Sequence, residues 1–132
     1  MANKRPSVGV TGANRGIGLE LVSQYLADDW QVYGCCRRPE LATQLAGLAS
    51  NSALSIYQLD VGNPGSVKKL ALALSEQSID LLINTAGIYG GERQSFGDID
   101  YAQWTRVLEV NTWAPTGSAL HWQTQSETVN SV

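Results

Sequence analysis

The sequence has few cysteines, little excess charge and no long apolar run, and each shortage excludes a class of protein. Its two cysteines, Cys35 and Cys36, are adjacent, so they cannot link distant parts of the chain, and they suggest a reducing compartment. No apolar stretch approaches the roughly 18 to 20 residues of a membrane-spanning helix, and the segment after Pro6 is too short for a signal peptide. A net charge of −3 does not favour a nucleic acid or an anionic membrane as partner. We therefore expect a cytoplasmic protein with neither partner.

Histidine is also scarce, which bears on metal binding and on nucleophilic catalysis. The single histidine, His121, has no cysteine or carboxylate pair near it in the sequence, so we predict neither a metal site nor a catalytic triad there. The 132 residues, 43% of them hydrophobic, are enough for one domain with its own core.

Short apolar strands alternate with amphipathic helices along most of the chain. Strand-like runs at residues 7–10, 31–36, 53–59 and 79–83 are each followed by apolar residues at helical spacing. The second helix should follow Pro39, and the third should start with Asn63 as N-cap and Pro64 in the first turn. Four such units predict an α/β fold of the Rossmann type, a parallel sheet with helices on both faces. We expect the strand order 3-2-1-4, with the fold truncated after the fourth βα unit.

A glycine-rich turn joins the first predicted strand to the first helix. Gly12, Gly16 and Gly18 follow the pattern Gly-x-x-x-Gly-x-Gly, where backbone N–H groups and the helix dipole converge on a site for pyrophosphate. We expect Gly12 to permit the turn, Gly16 to let the backbone approach phosphate, and Gly18 to bring the helix close to the strand. Taken alone, the motif is equally compatible with a purely structural turn.

Four motifs in a fixed order are shared with a known family. They are Thr11-Gly12-x-x-x-Gly16-x-Gly18, Leu59-Asp60-Val61, Asn84-Thr85-Ala86-Gly87 and Asn111. On these motifs, the chain from about residue 7 to residue 115 resembles the short-chain dehydrogenase/reductases. The stretches 12–20, 87–90 and 96–101 are most similar to the C-factor-like bacterial subgroup.

The resemblance implies a dinucleotide cofactor bound at the carboxyl ends of the strands. Asp60 would accept a hydrogen bond from the adenine amino group, although it could instead merely end a strand. Val61 would add backbone and an apolar surface, and residues 84–87 would lie beside the adenosine ribose. Family members more often have Asn where Thr85 stands, a change that a backbone contact tolerates. The expected cofactor-binding residues are Gly12, Asn14, Arg15, Gly16, Ile17, Gly18, Arg37, Asp60, Val61, Asn84, Ala86 and Gly87.

The end of the second predicted strand indicates which dinucleotide is preferred. Folds that prefer NAD place an acidic residue there, whereas here Cys36 is followed by Arg37 and Arg38. Arg37, assisted by Arg15, would bind the oxygens of a 2′-phosphate, which favours NADP(H) over NAD(H). The alternative is that these arginines are ordinary solvated surface residues.

Most of the family's catalytic residues have no counterpart in this sequence. The family uses a Ser, a Tyr-x-x-x-Lys pair and an Asn, and only Asn111 matches, a residue that could also make a purely structural hydrogen bond. The resemblance implies hydride transfer between NADP(H) and a small carbonyl or alcohol substrate, here without turnover because Tyr-x-x-x-Lys is missing. The alternatives are a nucleotide-binding sensor or regulatory module, and a signalling interaction protein.

The last part of the chain differs in composition from the rest. Ten of the seventeen residues 116–132 are Ser, Thr, Gln, Asn or Gly. We interpret residues 1–115 as the N-terminal part of an NAD(P)-binding Rossmann domain and residues 116–132 as an atypical, poorly ordered polar tail, which could instead cover exposed core. The truncation would leave residues 81–83 at an open sheet edge, which predicts a homo-oligomer or an unstable chain.

Overall fold

Parallel strands and helices alternate along the chain in the computed structural model, which describes residues 4–88, 94–115 and 130–131. The main strands are β1 (Ser7–Thr11), β2 (Gln31–Cys36), β3 (Leu54–Gln58) and β4 (Leu81–Asn84), and the helices are α1 (Gly16–Ala27), α2 (Thr43–Gly47), α3 (Pro64–Ala73) and α4 (Tyr101–Leu108). Three two-residue strands are β5 (Gln94–Ser95), β6 (Asp98–Ile99) and β7 (Asn130–Ser131). A 3-10 turn spans Pro39–Leu41, and a π-helical turn spans Glu109–Trp113.

The sheet has the strand order β3-β2-β1-β4-β7, and all of its strand pairs are parallel. Val8 of β1 lies between Val32 of β2 and Leu81 of β4, so the first strand is central. The order predicted from the sequence, 3-2-1-4, is therefore confirmed.

The prediction that β4 forms an open sheet edge is wrong for the first half of that strand. Leu81 pairs with Asn130 and Leu82 with Ser131 in parallel register, so the chain's own β7 occupies this edge. Backbone N–H and C=O groups at a sheet edge are a template for a further strand, and here the chain supplies one itself. Of the tail predicted to be poorly ordered, residues 116–129 and 132 lie outside the described residues.

Two clusters of buried side chains cover the two faces of the sheet. One packs β1 and β2 against α1 and α2 and consists of Val8, Val10, Ala13, Val22, Val32, Cys36, Ala42, Leu45 and Leu54. The other packs the opposite face against α3 and the π-helical turn and consists of Tyr33, Cys35, Leu59, Val61, Val67, Leu70, Ala71, Leu74, Ile79, Leu82 and Val110. Because β2 contributes to both clusters, its near-continuous apolar sequence fits a strand that is buried on both faces.

The helix starts follow local sequence signals, with one difference from the prediction. Asn63 caps α3, since its Oδ1 accepts hydrogen bonds from the N–H groups of Gly65 and Ser66, and Pro64 occupies the first turn, as predicted. The single helix predicted after Pro39 is instead a 3-10 turn followed by the short α2. It divides at Ala42, whose ψ of 66° is not helical.

Within the described residues, no helix combines the length and the apolar character that crossing a membrane requires.

Candidate functional site

A cleft of ≈ 790 Å³ lies at the carboxyl edge of the sheet. The turns that follow β1, β2, β3 and β4 border it, and one side is closed by Arg106 of α4 and Val110 of the π-helical turn. All twelve residues predicted to bind a cofactor line this cleft. Eight lining residues were not in that prediction: Cys36, Arg38, Leu41, Leu59, Thr85, Ile88, Arg106 and Val110. The volume is in the range of small-molecule and cofactor sites.

Two glycines let the turn after β1 contact both α1 and the loop after β4. Gly12 has a φ of +66°, and a Cβ there would lie 2.8 Å from the backbone N and Cα of Ala86. A Cβ on Gly18 would lie 2.1 Å from the carbonyl oxygen of Gly12 and 2.6 Å from Oγ1 of Thr85. Any larger side chain at either position would therefore force these three segments apart.

Gly16 differs from the other two glycines because it faces open space. Its φ is +56°, and no heavy atom of the described residues outside its own backbone neighbours lies within 4 Å of a Cβ built there. Arg15, the residue before α1, is extended, and within the described chain no side chain caps this helix and no acidic residue lies in its first turn. The first N–H groups of α1 and the positive end of its dipole thus border the cleft, an arrangement that suits an anion such as a phosphate.

Thr85 links the loop after β4 to the end of β1. Its hydroxyl donates a hydrogen bond to the carbonyl oxygen of Thr11. In return, the N–H of Ala86 donates to Oγ1 of the buried Thr11 at 3.3 Å. The threonine that departs from the family pattern therefore has a structural role of its own, which its neighbours in the sequence did not indicate.

Asp60 lies two residues beyond the end of β3 and lines the cleft. Its backbone N–H donates to Oγ of Ser66 at 3.0 Å, and its Oδ1 accepts from the N–H of Gly62 at 3.0 Å. Nη2 of Arg106, on α4, is 3.8 Å from the same Oδ1. Asp60 is thus more than the end of a strand, since its carboxylate interacts with two elements beside the cleft.

Three arginines place positive charge at the side of the cleft formed by β2 and α1. Arg37 and Arg38 directly follow β2, Arg15 lies in the glycine-rich turn, and all three are exposed lining residues. Among the lining residues that the structure describes, Asp60 is the only acidic one, and it lies after the neighbouring strand β3. A dianionic group is therefore favoured beside the arginines.

Asn111 lies in the π-helical turn after α4 and is not among the lining residues that the structure describes. Its Oδ1 accepts a hydrogen bond from the N–H of Ile88 at 2.8 Å, and its Nδ2 donates to the carbonyl oxygen of Ile88 at 2.9 Å. A Cβ on Gly87 would come within 3.1 Å of the same Oδ1. The side chain of Asn111 therefore ties the helix to the loop after β4 by a structural pair of hydrogen bonds.

Both cysteines are buried free thiols. Burial raises the pKa of Cys35 to about 12. Burial also raises the pKa of Cys36, against the opposing effect of a hydrogen bond from the backbone of Arg38. Both thiols are therefore protonated at neutral pH, the form in which a cysteine is a poor nucleophile. In the part of the chain that the structure describes, no three His, Cys, Asp or Glu side chains are grouped as a metal site would require.

Comparison with known proteins identifies the family. The family model for short chain dehydrogenase matches residues 7–119. This chain belongs to the short-chain dehydrogenase family.

Individual members of the short-chain dehydrogenase family show the extent of the similarity. The NADPH-dependent 1-acyldihydroxyacetone phosphate reductase of Saccharomyces cerevisiae is 37% identical over 82 residues, which are 59% of this chain and 28% of the yeast protein. The NADPH-bound carbonyl reductase from chicken fatty liver is 34% identical with a TM-score of 0.84, over 93% of this chain and 49% of that structure. A carbonyl reductase from Pseudomonas aeruginosa PAO1 in complex with NADP is 32% identical with a TM-score of 0.85, over 92% and 56%. The chain thus spans about half the length of these structures and less of the yeast relative.

Proposed function

We propose that this chain binds NADP(H) as the cofactor-binding part of an oxidoreductase that transfers hydride between the nicotinamide and a small carbonyl or alcohol. The observation that carries the proposal is the pairing, in one cleft, of an uncapped α1 start at Gly16 with Arg15, Arg37 and Arg38. The relatives add support, since the yeast reductase is named as NADPH-dependent and the two carbonyl reductase structures contain NADPH or NADP.

The residues fit the parts of this cofactor one by one. The open space beside Gly16 and the first turn of α1 would hold the pyrophosphate, and Arg37 with Arg15 would hold the 2′-phosphate. Asp60 and Val61 would contact the adenine. The remaining predicted residues would hold the ribose and the backbone of the turn: Gly12, Asn14, Ile17, Gly18, Asn84, Ala86 and Gly87. When bound, the nicotinamide would supply or accept the hydride.

Catalysis needs groups beyond those in this sequence. The 132 residues contain no Tyr-x-x-x-Lys pair, so we expect them to bind the cofactor without reducing a carbonyl by themselves. We assign Asn111 a supporting role at the catalytic end, because it holds the loop that contains Ile88. The three relatives named above are reductases, which does not favour a sensor module or a signalling protein over an oxidoreductase.

Four narrower expectations from the sequence belong to the same proposal. They are membership of the C-factor-like subgroup, a location in the cytoplasm, association as a homo-oligomer, and the division into a cofactor-binding domain at residues 1–115 and a polar tail at 116–132. The first, second and fourth follow from the sequence motifs or composition described above. The third follows from the edge of β4, of which β7 pairs with Leu81 and Leu82 only.

The test is calorimetric titration of NADPH and NADH into the wild type and Arg37→Asp. A hydrogen bond to a charged group is worth roughly 1.5–3 kcal/mol, so NADPH affinity should fall roughly 10- to 100-fold or more. NADH affinity should change much less. Arg5→Asp, the same charge change at an exposed arginine that pairs with Asp29 away from the cleft, should leave both affinities nearly unaltered. Equal losses for the two cofactors in Arg37→Asp would refute the assignment of the 2′-phosphate.

A further inference from the structure

Arg106 brings a cation from α4 to the end of β3, and the sequence motifs give it no role. Its Nη2 is 3.8 Å from Oδ1 of Asp60, and its Nη1 is 3.7 Å from Oε2 of Glu109. The guanidinium lines the cleft and lies between two carboxylates from different elements. Glu109 begins the π-helical turn, so it holds Arg106 from the helix side while Asp60 holds it from the sheet side.

The absence of a side chain on Gly62 allows the guanidinium to reach this position. A Cβ on Gly62 would lie 2.7 Å from Nη1, 2.8 Å from Nη2 and 2.9 Å from Cζ of Arg106. These distances are too short for real contacts, so any residue with a Cβ at position 62 would displace the guanidinium. The backbone N–H of Gly62 at the same time donates to Oδ1 of Asp60. Gly62 therefore leaves room for the guanidinium of Arg106 and also binds the carboxylate of Asp60 through its N–H group.

These contacts orient the carboxylate of Asp60. Both the N–H of Gly62 and the guanidinium of Arg106 approach the same oxygen, Oδ1. Among the described residues, no hydrogen bond or ion pair engages the other oxygen, Oδ2, and Asp60 is one of the residues that line the cleft. An oxygen held in this way is a ready acceptor for a ligand N–H group.

We propose that Arg106 is a positioning residue for adenine recognition: it holds Oδ1 of Asp60 so that Oδ2 is available to the exocyclic amino group of the cofactor's adenine. The proposal rests on the NADP(H)-binding function proposed above. Arg106 acts through Asp60 and is assigned no contact with the reacting atoms. Because both side chains are about 40% exposed, at 42% for Arg106 and 37% for Asp60, solvent screens their attraction. The effect on discrimination between bases should therefore exceed any effect on folding.

The discriminating probe is a pair of dinucleotides that differ at one group. NADPH has an amino group at C6 of adenine, which can donate a hydrogen bond to Asp60. The reduced form of nicotinamide hypoxanthine dinucleotide phosphate has a carbonyl oxygen there, and this oxygen cannot donate to the carboxylate. Calorimetric titration of both gives an affinity ratio that isolates recognition of the base from recognition of the phosphates. The wild type should prefer NADPH by about tenfold or more, the equivalent of one good hydrogen bond with a charged partner.

Three variants test Arg106 itself. Arg106→Gln should lower this ratio at least threefold, and Gly62→Ala should do the same while keeping the charge, because it displaces the guanidinium. Arg106→Lys, which keeps a positive charge, should retain part of the wild-type ratio. Lys69→Gln, on the exposed face of α3 and outside the lining residues that the structure describes, is the matched control and should leave the ratio unaltered. Circular dichroism melts establish whether each variant is folded. If either Gly62→Ala or Arg106→Gln does not fold, the other still tests the role of Arg106.

A double-mutant cycle with Asp60→Asn separates positioning from direct contact. If Arg106 acts through Asp60, Arg106→Gln should no longer alter the ratio once the carboxylate has been replaced. If instead both affinities fall equally in Arg106→Gln and the ratio is unchanged, the positioning role is refuted although the proposed cofactor is right. If the wild type binds neither dinucleotide, the proposed function fails and this inference fails with it.

Discussion

Replacing Gly18 by alanine should destabilise the fold more than any other glycine substitution in the cofactor turn. The new Cβ would lie 2.1 Å from the carbonyl oxygen of Gly12, about 1 Å closer than a tight contact allows, and 2.8 Å from the carbonyl carbon of the same residue. Both obstructing atoms are backbone, so no side-chain rotation relieves the clash. The start of α1 must therefore move away from the end of β1.

The size of the loss follows from what such a movement disturbs. Overpacking in a well-packed interior typically costs 1–3 kcal/mol, and a clash with backbone belongs at or above the upper end of that range. The same Cβ would also lie 2.6 Å from Oγ1 of Thr85, which adds a second clash. We expect a loss of about 3 kcal/mol or more in the free energy of unfolding. For a domain of this size, that corresponds to a fall of roughly 10 °C in Tm.

Urea and thermal unfolding, followed by circular dichroism, measure the loss, and two glycines provide controls. Gly16→Ala faces open space but has a φ of +56°, so it should lose only the roughly 1–2 kcal/mol of a left-handed residue. Gly47→Ala, at the last residue of α2, meets neither obstacle in the described structure and should be neutral or stabilising by up to about 1 kcal/mol. The reasoning is refuted if Gly18→Ala unfolds at the wild-type midpoint, or loses less stability than Gly16→Ala.

Two further predictions concern buried thiols and a helix cap. Because the pKa of Cys35 rises from 9.0 to about 12 on folding, its contribution to stability is complete below pH 9 and lost as pH rises towards 12, with an upper limit of about 4 kcal/mol. Urea midpoints between pH 8 and 10.5 should fall less steeply in Cys35→Ala than in the wild type, and equal slopes would contradict this cause. Asn63→Ala should lose about 1 kcal/mol because two N–H groups of α3 lose their acceptor, whereas Asn63→Ser should retain most of the stability. Chemical unfolding measures the free energy of unfolding of both variants, and an equal loss in both would show that the loss of stability does not come from the cap.

The features that the sequence predicted well are those encoded within a few neighbouring residues. Asn63 and Pro64 start α3 because an N-cap and a first-turn proline act on the helix that directly follows. The glycine turn was recognisable because the required conformations of Gly12 and Gly16 follow from the chain path between a strand and a helix. The strand order 3-2-1-4 followed from the handedness of βαβ crossovers together with the family resemblance.

The features that could not be predicted depend on contacts between distant parts of the chain. The pairing of Asn130 and Ser131 with β4 has no signal in two polar residues, because a strand edge accepts any backbone of the right direction. Arg106 looks like an ordinary surface residue of α4 until the fold brings Asp60 and Gly62 beside it. The division of the second helix at Ala42 has a different cause, a local ψ of 66°, which the spacing of apolar residues does not report.

One helical element, α4 together with the π-helical turn at Glu109–Trp113, contacts the loops after two different strands. In a continuous α-helix, residues at i and i+5 such as Arg106 and Asn111 point about 140° apart around the axis. Here one reaches Asp60 after β3 and the other reaches Ile88 after β4. A ligand that binds Asp60 and the loop that contains Ile88 therefore both act on the position of the same helical element. Where the two contacts are coupled through this helix, thermodynamic reciprocity requires that a ligand on Asp60 strengthens the Ile88 contact by the same factor by which that contact strengthens binding of the ligand.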